Sequence, residues 1–316
     1  MMMKRHLRQI LLTLCVLAAM AAGAGARVGI AWQPNPKSYA RVVDAIEAAG
    51  GEAVILDQVM PVVLDYDGVE VRPEFLDEIG ILRQEYADVI KRDTWHGSNV
   101  VEAMKGVDAV VFLGGGDVCP TLFAVPQTGH GIEEDCNFDA ARDVSEYLTM
   151  AYCLDHDLAV LGICRGMQLL GIVSGAPLIQ DLGTYFDGMD IEYQYMHRAQ
   201  RDSLGNRHYV AHDVAVTDSL SLFYGIAKTD TVRSVPSWHH QVVGNVEGTA
   251  LKVTGVTRTQ GVDIIEVIER TDKRFALGVQ FHPEEALRRI FAREPDADSF
   301  MPYESAIAYF RAIVGN

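Results

Sequence analysis

A short apolar stretch, residues 158–161, runs without a gap into Gly162-Ile163-Cys164-Arg165-Gly166-Met167-Gln168-Leu169-Leu170. Apolar strand, tight turn and helix in immediate succession constrain the chain to an architecture of strands joined through helices. The same alternation continues on both sides. Residues 27–32, 53–56 and 108–113 read as strands, and 39–49 as a helix whose Gly50-Gly51 supplies a C-terminal stop. A second helix runs from near Asp139 to His156. Strands separated by helices predict a mostly parallel sheet with right-handed crossovers and functional loops at the carboxyl ends of the strands.

The second half changes character. Residues 209–216, 231–235, 250–256 and 262–267 are short β-rich stretches separated by turns, which predicts antiparallel strands added to the same sheet. Residues 274–279 form one more strand and 303–314 a closing helix. With no internal repeat or linker, a single domain over 27–316 is expected. Residues 57–107 fit this plan least. The apolar spacing of 73–92 predicts one helix there, either a crossover or an elaboration over the sheet edge that shapes the pocket or a homodimer contact.

Residues 1–26 carry Lys4, Arg5 and Arg8, then an apolar run from 10 to 22, then small residues. This is the pattern of a secretory signal peptide cleaved near Ala24 or Ala26, and the run is shorter than the ~20 residues of a membrane span. Leu14 ahead of Cys15 disfavours a lipid anchor. An exported protein with no membrane association after cleavage is therefore expected. Of 316 residues, 27 are Lys or Arg and 43 Asp or Glu, so the chain carries −16 and its expected mature form −19. That charge, with no basic stripe beyond residue 26, excludes a nucleic-acid partner. Export permits disulfides, and Cys119 with Cys136 either bridge or stay separate as small core residues alongside Cys153 and Cys164.

Cys164 sits on the turn between strand and helix, with Gly162 and Gly166 letting the backbone pack. Either its sulfur faces a helix N-terminus, which favours thiolate, with the Arg165 amide placed to hold an oxyanion, or it is a buried structural cysteine beside a tight turn. Residues 278–284, Gly-Val-Gln-Phe-His-Pro-Glu, follow another strand. In extended backbone the i, i+2 spacing would put His282 and Glu284 on one side, so that Glu284 orients the imidazole toward the thiol. Taken alone, the same residues also read as a strand-to-helix cap. A third strand ends in Gly114-Gly115-Gly116-Asp117-Val118-Cys119-Pro120, either a backbone anion site or a tight turn.

These motifs, with Ser237-Trp238-His239-His240-Gln241, Gln180-Asp181-Leu182 and residues 45–51, resemble class I glutamine amidotransferase-like hydrolases. Within them the chain is similar to the γ-glutamyl-γ-aminobutyrate hydrolases of the peptidase C26 type. The resemblance covers most of 27–290 and implies a flavodoxin-like three-layer α/β sandwich. It implies Cys164 as nucleophile, His282 as general base and acid, and Glu284 orienting it. The oxyanion hole would be the amides of Arg165 and of a loop glycine, Gly116 or Gly115. Gln168 would bind the amino-acid end of a glutamyl group, and His239, His240 and Gln241 would line the pocket. Those three read without the resemblance as a polar loop capping a strand.

Two positions depart from the family pattern: Cys119 where an acidic residue is usual, and Gly171 where Asn is common. Arg198, Arg201 and Arg207 are solvated loop cations or one of them pairs with a substrate carboxylate. Five histidines lie between His197 and His240, but without regular ligand spacing, and no metal and no cofactor is assigned. The expected activity is hydrolysis of γ-glutamyl amide bonds of a small-molecule substrate through a cysteine thioester. The alternatives are a glutaminase subunit supplying ammonia and a non-catalytic binding protein.

Overall fold

The computed structural model describes residues 25–127 and 138–316. The expected signal segment, apart from Gly25 and Ala26, lies outside the described residues, as does Cys136. In chain order the elements are β1 (Arg27–Ile30), α1 (Ala40–Ala48), β2 (Glu52–Ile55), β3 (Tyr66–Asp67), β4 (Glu70–Val71), α2 (Gln84–Asp93), α3 (Val100–Ala103) and β5 (Ala109–Phe112). Then follow α4 (Ala140–Asp155), β6 (Ala159–Ile163), α5 (Arg165–Val173), β7 (Leu178–Ile179), α6 (Leu182–Asp187), β8 (Val210–Val216), α7 (Leu222–Ala227) and β9 (Thr231–Ser237). The chain closes with β10 (Val242–Val243), β11 (Leu251–Thr259), β12 (Val262–Arg270), β13 (Ala276–Val279), α8 (Pro283–Ala292) and α9 (Tyr303–Val314).

Among the described residues nine strands form one sheet in the order β2-β1-β5-β6-β13-β12-β11-β8-β9. The first five pair in parallel, and every pairing from β13 to β9 is antiparallel. Parallel strands buried on both faces need apolar residues at every position, and β5 and β6 have them. Side chains alternate between two cores. Val110, Phe112 and Val160 face one core with Leu148 of α4 and Leu169 of α5, while Val111, Leu161 and Val279 face the other with Ile46 of α1 and Phe310 of α9. Helices thus cover both faces of the sheet, which makes the expected three layers.

The expected helix over 73–92 is broken. Pro73–Phe75 makes a single 3₁₀ turn, and the helix begins only at Gln84. Between them the Asp77 carboxylate accepts the Ile79 and Ile81 amides at 3.0 and 2.8 Å, Gly80 takes φ +84°, and Leu76 bridges Leu82. The aspartate offers the backbone a local alternative to the helix. Leu82 and Ile90 stay buried, so the apolar spacing reports burial correctly and helicity only in part.

Candidate active site

The elbow is built by close backbone approach. A Cβ at Gly162 would lie 2.5 Å from the Gly166 carbonyl oxygen, and one at Gly166 would lie 2.4 Å from that of Phe112. Glycine at both positions lets β5, β6 and α5 meet. Cys164 between them has φ +52° and ψ −105°, a conformation strained for a side chain with a Cβ. Its amide donates to the Val279 carbonyl at 2.7 Å, its carbonyl accepts from Gln168, and Sγ lies 3.9 Å from the Trp238 carbonyl oxygen.

His282 is the N-cap of α8, with Pro283 at the first helical position and Glu284 in the first turn. The extended-backbone expectation is corrected here: the helix turn, not a strand, brings the two side chains together. His282 Nδ1 lies 2.7 Å from Glu284 Oε1. An ionised carboxylate only accepts, so Nδ1 carries the hydrogen and Nε2 is the nitrogen available to the thiol. Burial pushes the His282 pKa down, but Tyr209, Glu284 and Cys164 outweigh it and hold the imidazole well above its ordinary value. Gly114 is pressed against the pair, since a Cβ there would lie 2.7 Å from His282 Cε1 and 3.5 Å from Cys164 Cβ.

The Arg165 side chain turns away from the sulfur into a buried ion network. Its guanidinium pairs with Asp143 and Glu146 of α4. Arg142 pairs with Glu146 at 3.0 Å and donates to the Gly114 carbonyl at 2.9 Å, and Asp143 accepts the Cys119 amide at 2.8 Å. Burial, with Arg142 beside it, pushes the Arg165 pKa down to about 10, which leaves it charged at neutral pH. The network ties the first residue of α5 to both ends of the glycine loop, holding the elbow and the expected oxyanion donors in one register.

Cys164 stands at the junction of two cavities. The smaller, about 160 Å³, is lined by Gly115, Gly116, Asp117, Gln168 and Arg198 together with 238–241. All four expected substrate-binding residues are therefore brought together there. Gln168 Nε2 donates to the Gln241 carbonyl at 3.0 Å. His240 is held between Asp181 and Asp117, each at 3.2 Å, and despite burial these carboxylates raise its pKa. The larger cavity, about 570 Å³, is lined by Arg41, Gly114, Tyr209, Trp238, His282 and Glu284 among others. Arg41 and Tyr209 went unassigned in the sequence, because nothing local joins them to the motifs, and Trp238 was given no role although it lies within the 237–241 motif.

A further group emerges only in three dimensions. His197 precedes β8, His212 lies on β8, His239 follows β9 and Glu266 lies on β12, yet their ligand-type atoms all fall within 4.8 Å of one another. Burial lowers the pKa of all three histidines, and against burial they hold the Glu266 carboxyl far below its usual range. The regular spacing sought in the sequence is absent because the four come from four separate segments. His239 thus belongs both to this group and to the lining of the small cavity.

Sheet order, elbow and the histidine at the start of α8 define a class I glutamine amidotransferase-like α/β protein. The chain belongs to the peptidase C26 family, whose model matches residues 89–284. It is 28% identical over 230 residues to the glutamine amidotransferase-like protein YvdE of Lactococcus lactis, covering 69% of this chain and 87% of that one. To a Mycobacterium tuberculosis protein whose name places it among glutamine amidotransferases it is 32% identical over 202 residues, covering 62% of this chain and 57% of that one. A solved glutamine amidotransferase from Thermotoga maritima aligns over 92% of this chain and 99% of its own, with a TM-score of 0.47 and 14% identity.

Proposed function

We propose that this protein is an exported cysteine hydrolase of γ-glutamyl C–N bonds, of the γ-glutamyl-γ-aminobutyrate hydrolase type. The observation that carries the reading is the placement of Cys164 between a small polar cavity and a large open one. The small cavity is below the ~300 Å³ of drug-sized sites and suits one amino-acid-sized acyl group. Asp117 there complements an α-ammonium, and Arg198 with the raised His240 complements an α-carboxylate. The larger cavity then takes the amine half. Arg41 on its wall complements a leaving group that bears its own carboxylate. The charge and small-residue pattern of residues 1–26 supports export.

In the reaction, the Cys164 thiol gives its proton to His282 Nε2 as its sulfur attacks the γ-carbonyl carbon, and the carbonyl electron pair moves to the oxygen, held by the amides of Arg165 and Gly115 or Gly116. The tetrahedral species collapses, the C–N bond breaks, and His282 Nε2 gives its proton to the departing amine. Water then attacks the thioester with His282 as base, and glutamate leaves as the thiol regains its proton. Glu284 keeps Nδ1 protonated throughout.

The test compares glutamate release from glutamine, γ-glutamyl-aminobutyrate, γ-glutamyl peptides and poly-γ-glutamate. The reading expects a γ-glutamyl amine or peptide to exceed free glutamine, and Arg41→Ala to raise KM for γ-glutamyl-aminobutyrate while leaving glutamine turnover unchanged. Efficient turnover of glutamine alone would instead mark a glutaminase.

A further inference from the structure

We propose that His197, His212, His239 and Glu266 form a closed structural site for one divalent transition-metal ion, with zinc the best match, that braces the wall of the small cavity. The donor inventory makes the argument. The Thr257 hydroxyl donates its one hydrogen to the Asp213 carbonyl at 2.8 Å, so toward His212 Nδ1, 3.1 Å away, it can only accept. His239 Nδ1 faces the Gln241 carbonyl at 3.0 Å, and a carbonyl also only accepts. Both rings therefore carry their hydrogen on Nδ1. When neutral, each directs a bare Nε2 lone pair at the carboxylate of Glu266.

Those two nitrogens stand 3.6 and 3.4 Å from Glu266 Oε1, and His197 Nδ1 stands 3.0 Å from the same oxygen. The lone pairs of His212 and His239 repel the carboxylate oxygen they face, and a cation among the donors turns that repulsion into coordination. None of the three nitrogens, nor either carboxylate oxygen, makes a satisfactory hydrogen bond among the described residues. The four residues are 0–6% exposed, so bulk solvent does not reach them. Bonds of about 2.0–2.1 Å in a tetrahedron put neighbouring donors about 3.3–3.4 Å apart; the three nitrogen-to-oxygen separations of 3.0–3.6 Å bracket that value, and all four donors lie within 4.8 Å, so a small inward shift would complete the site.

Each histidine is also held from behind, as metal-bound imidazoles are. Thr257 holds His212, the Gln241 carbonyl holds His239, and Thr259 lies 2.8 Å from His197 Nε2. Four protein donors leave no open position, which makes the site structural and not catalytic. Its position says what it would fix. His239 adjoins Trp238, whose carbonyl touches Cys164 Sγ, and the His239 amide and Ser237 hydroxyl both donate to the His197 carbonyl. A metal here would clamp 237–241 and the 193–199 segment together, independently of which amide is cleaved.

The test begins with the metal content of the full protein purified without chelator. The stripped protein is then titrated with Zn²⁺ alone and with Co²⁺ alone, following thermal unfolding and the visible ligand-field bands of Co²⁺. The expected results are close to one equivalent of zinc per chain, a Tm raised by Zn²⁺, and tetrahedral Co²⁺ bands. Glu266→Gln should abolish these bands. Thr257→Val, which leaves all four donors in place, keeps the question open to test if Glu266→Gln fails to fold, and should weaken Zn²⁺ 10- to 100-fold. Folded wild-type protein that binds neither ion, with a Tm unmoved by Zn²⁺, would overturn the site and leave the cluster a metal-free group of imidazoles around Glu266.

Discussion

Glu284 works on His282 in two ways, by fixing which nitrogen holds the hydrogen and by favouring the charged ring. Since burial is outweighed by Tyr209, Glu284 and Cys164, the imidazolium persists above its ordinary range. In the proposed reaction His282 is the acid for the departing amine, so loss of its proton as pH rises should make kcat/KM fall on the alkaline side through that raised pKa. Glu284→Gln removes one of the groups that lift it, and the alkaline limb should move to lower pH with a lower maximum. An unmoved limb would show that His282 does not set it. The residues of the candidate site were legible in the sequence because Cys164, Gly162, Gly166, His282 and Glu284 sit in contiguous motifs. Arg41, Tyr209 and the partners of His239 were not, since their roles arise from contacts across the fold.

At the scale of elements, the site depends on how tightly β5, β6 and α5 approach and on what fixes the glycine loop. Gly166→Ala would drive a methyl into the Phe112 carbonyl, a backbone atom that cannot rotate away. Overpacking of this kind costs typically 1–3 kcal/mol, which a urea-denaturation midpoint would register. Arg142→Met should cost more, about 3–5 kcal/mol, because it removes one cation from a buried network that also holds Glu146, Asp143 and Arg165. It should also lower kcat by releasing the Gly114 carbonyl. If Arg142→Met unfolds at the wild-type urea midpoint, the network has no supporting role. This network was invisible in the sequence: α4 reads there as an amphipathic helix, with no sign that its charges point inward. The segment 73–92 failed differently, as apolar period alone could not reveal that Asp77 and Gly80 would turn the chain.

For the whole molecule, the strand and helix alternation was enough to give the parallel half of the sheet. β-branched runs bounded by turns gave the antiparallel half, and five parallel strands followed by four antiparallel ones match that division. What one dimension could not show is convergence. β8 and β12, on either side of β11 in the sheet, bring His212 and Glu266 together, and α5 with loops from both halves puts Gln168 beside His240 and Gly116. The oxyanion assignment belongs to this scale too, because its two amides come from different strand ends. Loss of a single such donor costs roughly 10²- to 10³-fold in kcat, and loss of the sulfur costs more. The measurement that bears most directly on the account is glutamate release from γ-glutamyl-aminobutyrate by wild-type and Cys164→Ala protein side by side. The account predicts release that disappears with the sulfur while the variant stays folded; equal release from both proteins would contradict it.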